Sequence, residues 1–179
     1  VFKMGNYPNF LTEPPSRPMR IKDLLCHMSG LTYGFMHRTP VDAGYRKAGL
    51  EGARSSGNLE ETVEKIASLP LEFSPGERWN YSMATDVLGY LVQVVSGKPF
   101  EQFLRDEIFE PLGMGDTGFF VPPEKQPRLP ACYERRMDRK LVLQDGRTEF
   151  DGVQVNLTGP GLGDVRSAGP HQLLFFVGI

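Results

Sequence analysis

At 179 residues, with 40% hydrophobic, 11% aromatic and 23% charged residues, the chain has the length and apolar content of one globular domain with a buried core. A formal net charge of -2 and a pI of about 6.0 give no electrostatic basis for nucleic acid or an anionic membrane as a partner. No apolar run approaches the roughly 18 to 20 residues that span a bilayer, so no membrane segment is expected.

The start, Val1-Phe2-Lys3-Met4, lacks the layout of a signal peptide and does not begin with methionine. The chain is therefore expected to be a fragment or a processed product, and its compartment is left unassigned. The proline-rich stretch NYPNFLTEPPSRP predicts an extended surface loop. In MRIKDLLCHMSG, Ile21, Leu24, Leu25 and Met28 recur at helical spacing, with Gly30 as a left-handed stop. Cys26 is expected to pack there as a small apolar side chain. Cys26 and Cys132, far apart and outside any C-x-x-C pair, make no disulfide framework.

Residues 31–57 are irregular and glycine-rich, predicting a long loop with one short helix near Ala43 to Ala48. A loop that long in a compact domain is more often functional than idle. Asn58 and Glu61 form a capping-box pattern for a helix that buries Leu59, Val63, Ile66 and Ala67 and ends at Pro70. Ser82 is expected to cap the next helix, which carries Met83, Ala84, Val87, Leu88, Leu91 and Val95 to a stop at Gly97. Another helix, from about Pro99 to Phe109, should bury Phe100, Phe103, Leu104 and Ile108 before Pro111 and Gly113. ACYERR, KLVLQDG and GVQVNL then predict short strands. The last stretch, TGPGLGDVRSAGPHQLLFFVGI, is a glycine-rich loop followed by an apolar run with no visible cap. One partial domain is expected over 1–179, mostly helical with long loops over 1–120 and short strands with a truncated end over 121–179. Helices first and strands later is an α+β order rather than alternating βα units.

Several signatures are missing. There is no G-x-S-x-G elbow, no phosphate-binding G-x-x-x-x-G-K-[ST] and no zinc-binding H-E-x-x-H. Gly159, Gly161 and Gly163 lack the βαβ context of a dinucleotide loop. His27, His37 and His171 show no metal-ligand spacing, so no cofactor or metal is expected. His27, beside the apolar face of its helix, reads as a hydrogen-bonded structural histidine. Asn80-Tyr81-Ser82 and Asn156-Leu157-Thr158 match the glycosylation sequon, a pattern short enough to arise by chance.

Tyr81 is the residue whose position raises a chemical question. With Ser82 as cap, Tyr81 stands just outside the first turn, and an apolar staple would pair it with Asp86, which is not apolar. A phenol at the positive end of a helix is favoured as an anion by about 1 kcal/mol. Phenols ionise near pH 10, so a basic role at neutral pH needs cations close by. The residues alone leave both an aromatic packing role and a catalytic one open.

Three blocks, IKDLLCHMSGL, FSPGERWNYSMATDVLGYLVQVVSGKPFEQFL and IFEPLGMGDTGF, resemble the serine β-lactamase-related family in order and spacing over Ile21 to Phe120. That family contains class C β-lactamases, D-alanyl-D-alanine carboxypeptidases and family VIII carboxylesterases. The glycine-rich TGPGLGDV is a weaker likeness to the family's Gly-Gly-Gly-Gly-Leu stretch. The resemblance implies a β-lactamase/DD-peptidase-like fold, with this chain covering mainly the helical region and part of the strands.

It also implies an acyl-enzyme mechanism without a cofactor, in which the serine of S-x-x-K is activated by its lysine and by the tyrosine of Y-x-N. Tyr81-Ser82-Met83 falls where Y-x-N belongs, so Tyr81 is implied to be the general base or proton shuttle. No serine here has lysine three residues on, and neither K-T-G nor H-x-G occurs, so the chain by itself is expected to be inactive. Met83 stands where the family's asparagine offers an amide, and a thioether cannot supply that donor and acceptor. This tilts the implied activity toward a carboxylesterase on small acyl esters, with β-lactamase or peptidase as the alternative. Trp79, Tyr33 and Met83 are the implied substrate contacts. The implied partner is a small ester or β-lactam, with no nucleic acid and with the oligomeric state open. A reading of another class is a truncated homologue serving as a binding or structural module.

Overall fold

The computed structural model describes residues 1–50, 58–118, 124 and 132–145, with the backbone alone at 132, 134 and 143–145. The first difference from expectation is at the start. Strand β1 (Phe2–Asn6) pairs antiparallel with β2 (Asn9–Thr12), with Gly5 opposite Phe10 and Asn6 opposite Asn9. Pro8 sits in the turn between the strands, where its missing N–H interrupts no ladder bond. Phe2 and Phe10 meet edge to face with ring centroids 5.8 Å apart, and Phe2 N–H donates to the Leu71 carbonyl at 2.8 Å.

Helix α1 (Ile21–Leu25) is shorter than its apolar spacing suggests. Leu24 is buried, whereas Ile21 and Leu25 are exposed, and Cys26 is exposed rather than packed. The reason lies in Asp23. Its carboxylate takes a two-pronged hydrogen bond from Arg17, both contacts at 2.7 Å, and another from Arg20 N–H at 2.8 Å. The guanidinium beside it holds the carboxyl down to about 2. With Asp23 turned inward, Ile21 and Leu25 turn out. His27 then takes a left-handed conformation at φ 54°, ending the helix before Gly30.

The long loop contains a 3-10 turn at Gly34–Met36 and helix α2 (Pro40–Lys47). Thr39 caps α2 by accepting from Asp42 N–H, with proline at the first helical position. Helix α3 (Leu59–Ala67) begins at the expected Asn58–Glu61 box. Its inner face is Thr62 and Ile66 rather than Ala67, which is exposed. Helix α4 (Ala84–Ser96) starts one residue later than expected, with Met83 at the cap, and ends at Gly97 with φ 68°. Val95 is 78% exposed and not part of the buried stripe.

Helix α5 (Phe100–Leu104) runs into a π-helical turn at Arg105–Phe109. The wider turn shifts the phase, so Phe109 is buried and Ile108 is partly exposed. Strands β3 (Cys132–Arg135) and β4 (Leu141–Asp145) form an antiparallel hairpin. The expected strand GVQVNL, the Gly159–Gly163 loop and the Asn156 sequon lie outside the described residues.

The main core joins α2, α3 and the start of α4, with Val41, Tyr45, Leu50, Ile66, Met83 and Ala84 among its buried members. Gly89 lets α5 close on α4, since a Cβ there would stand 3.3 Å from the Phe100 ring. No helix among the described residues is long and apolar enough to cross a membrane.

Candidate active site

Two stretches far apart in sequence, His27 to Thr32 and Glu72 to Met83, run side by side in front of α4. Glu72 N–H donates to the Gly30 carbonyl and Gly76 N–H to the Met28 carbonyl, both at 2.8 Å. Asn80 N–H donates to the His27 carbonyl at 2.8 Å and Met83 N–H to the Thr32 carbonyl at 3.3 Å. The approach is close enough to demand glycine at position 30. Its φ is 87°, and a Cβ would lie 2.3 Å from the Phe73 carbonyl oxygen.

Tyr81 rides on this pinned segment and is partly buried. Its ring is enclosed by other rings. The His27 ring is 5.0 Å away, the Tyr33 ring 5.1 Å, and the Trp79 ring 6.4 Å with an interplanar angle of 16°. Tyr33 in turn packs on Phe35 at 4.9 Å. The structure thus brings Tyr81, Tyr33 and Trp79 together. Trp79 is 63% exposed, at the open end of the array, and Tyr33 is 5% exposed, at the closed end. Met83 is 3% exposed and lies in the main core below the helix start.

The electrostatics follow from burial. Burial pushes the Tyr33 phenol well above the ordinary range, helped by the nearby Asp86 charge and by Tyr81. Asp86, in the first turn of α4, is raised to about 6 by burial, against the opposing pull of its own backbone N–H. Burial lowers His27, so its imidazole is neutral at pH 7, and Nδ1 stands 3.3 Å from the fully buried Ser82 hydroxyl. That pair gives His27 the hydrogen-bond partner expected of it. It also explains why Ser82 is not the cap: its hydroxyl faces back toward His27 rather than onto the helix.

Three contributors escaped the sequence reading. Asp86 was visible only as a polar residue where a staple wants an apolar one. Asn80 appeared as part of a sequon. Its amide is 6% exposed and fully engaged with Arg38, Leu31 and Glu72, so it is closed to a glycosyltransferase. Arg38 gave no signal at all. Among the described residues no group of three or more His, Cys, Asp or Glu side chains could hold a metal.

A dominant helical region with small antiparallel hairpins is a partial β-lactamase and penicillin-binding-protein type of fold. The chain belongs to the beta-lactamase family, whose model, described as Beta-lactamase, matches residues 6–170. It is 37% identical over 128 residues to esterase EstB of Burkholderia gladioli, covering 70% of this chain and 32% of that protein. It is 34% identical over 110 residues to lovastatin esterase of Penicillium rubens, covering 62% and 26%. Unliganded simvastatin synthase (LovD) from Aspergillus terreus superimposes with a TM-score of 0.62 at 27% identity, covering 81% of this chain and 36% of that one. The chain thus spans about a third or less of the length of these relatives.

Proposed function

We propose that these residues form the tyrosine-bearing part of an acyl-enzyme site in a serine hydrolase acting as a carboxylesterase on small acyl esters. The observation that carries this reading is the Tyr81 phenol, held at the start of α4 between the His27, Trp79 and Tyr33 rings. In the reaction a serine hydroxyl loses its proton to Tyr81 Oη as its oxygen attacks the ester carbonyl. Tyr81 then returns the proton to the departing alcohol, and water later releases the acyl group by the same route. The reading requires a serine with a lysine three positions on to favour the phenolate, and no serine here has that lysine.

Trp79, exposed and stacked on Tyr81, offers an apolar wall to the acyl group. Met83, lacking an amide, supports an ester over a β-lactam or peptide that needs its acylamide recognised. The test compares p-nitrophenyl butyrate with a chromogenic cephalosporin on the full-length protein. The ester is expected to be turned over at least ~10-fold more efficiently, consistent with a missing polar contact in the site for the cephalosporin. Preference for the cephalosporin would make the protein a β-lactamase. Turnover of neither would favour a binding or structural module.

A further inference from the structure

Asn80, next to the proposed base, has more long-range hydrogen bonds than any neighbour in its segment. Its Oδ1 accepts from Arg38 Nη2 at 2.6 Å. Its Nδ2 donates to the Leu31 carbonyl at 2.8 Å and to Glu72 Oε2 at 3.2 Å. Two acceptors face the nitrogen and a guanidinium faces the oxygen, so the amide can sit only one way round. The other carboxylate oxygen of Glu72 accepts from Thr39 Oγ1 at 2.6 Å. The loop end is held too, because Arg38 N–H and Thr39 N–H donate to Asp42 Oδ2 at 2.6 and 2.8 Å. Asp42 is fully buried, and its other oxygen accepts from Arg46 Nη1 at 3.0 Å. Arg46 also donates to the Gly34 carbonyl.

These contacts close a circuit. The loop from Leu31 to Thr39 carries the Tyr33 ring that packs on Tyr81, and both ends of that loop reach Asn80, one residue before Tyr81. We propose that Asn80, clamped by Arg38, Glu72 and the Leu31 carbonyl, is a positioning residue that aims the Tyr81 phenol and couples it to the Tyr33 loop. The inference rests on the reading of Tyr81 as the base. Asn80 has no proposed contact with substrate: it is buried, and its side-chain Oδ1 and Nδ2 are both taken up by the clamp. Its effect therefore falls on the rate of the chemical step more than on ester binding.

The test uses the full-length protein and p-nitrophenyl butyrate, with Asn80→Ala made both in the parent and in Tyr81→Phe. In the parent, kcat is expected to fall ~10- to 100-fold with KM within ~3-fold, the scale of an ångström-sized misplacement. In the Tyr81→Phe background the same change is expected to cost less than ~2-fold, because residues that act as a unit are not additive. A loss of the same size in both backgrounds would make Asn80 a structural residue and overturn the inference. So would a kcat within ~2-fold of the parent. Should Asn80→Ala fail to fold, Arg38→Ala carries the same comparison, since it leaves Asn80 bonded to Leu31 and Glu72, with an expected kcat loss of ~3- to 10-fold. An unaffected Tyr81→Phe would instead overturn the reading of Tyr81, whatever Asn80 does.

Discussion

Helices α3 and α4 begin by opposite means. At α3 the chain closes its own first turn: Asn58 accepts from Glu61 N–H at 2.8 Å, and Glu61 accepts from Asn58 N–H at 3.3 Å. At α4 the cap is Met83, which has no side-chain cap bond. That turn is held from a distance, by the carbonyls of His27 and Thr32 and by the His27–Ser82 contact. A local cap is enough to start a helix. The remote arrangement does something a local cap cannot, because it fixes the direction of a side chain one turn before the helix, and Tyr81 is that side chain.

The contrast can be broken from either side. Gly30→Ala should have the largest effect, since the added Cβ meets the Phe73 carbonyl at 2.3 Å and φ is 87°. A loss of about 3 kcal/mol in urea unfolding is expected, together with lower turnover. Asp86→Asn comes next and goes the other way. The folded protein holds the Asp86 proton more tightly than the unfolded chain, so the carboxylate costs stability as pH rises from about 4 to about 6, and the cost stays constant above that. The variant should therefore be more stable by up to about 3 kcal/mol at pH 8 and indistinguishable from the parent near pH 3, measured by urea unfolding at both. Asn58→Ala should be smallest, costing about 1 kcal/mol and leaving ester turnover unchanged. A turnover loss there would erase the distinction between the two helix starts.

The same contrast decides what could be read from the residues. The Asn58–Glu61 box, α2 near Ala43 to Ala48 and the stop at Gly97 were legible because each depends on residues within a turn or two. The family was legible from blocks that keep their order along the chain. The clamp was not, since Asn80 meets partners 42 and 49 positions away. Ser82 was misread as a cap because its hydroxyl is engaged by His27, 55 positions earlier. Exposure of Cys26 and Leu25 could not be foreseen from the apolar spacing, because the bond of Asp23 to Arg17 is what turns the helix over. Phe109 displaced Ile108 from the core because a π-helical turn changes the phase, and nothing in the apolar spacing announces one.

The claim that α4 is held from afar in order to aim Tyr81 is tested most directly by the rate of acylation. The measurement is the pre-steady-state release of p-nitrophenolate from p-nitrophenyl butyrate by full-length Tyr81→Phe, alongside its melting temperature. The expected result is acylation slowed at least ~100-fold, the scale of losing a general base, in a protein that melts within a few degrees of the parent. Acylation at the parent rate in that folded variant would contradict it.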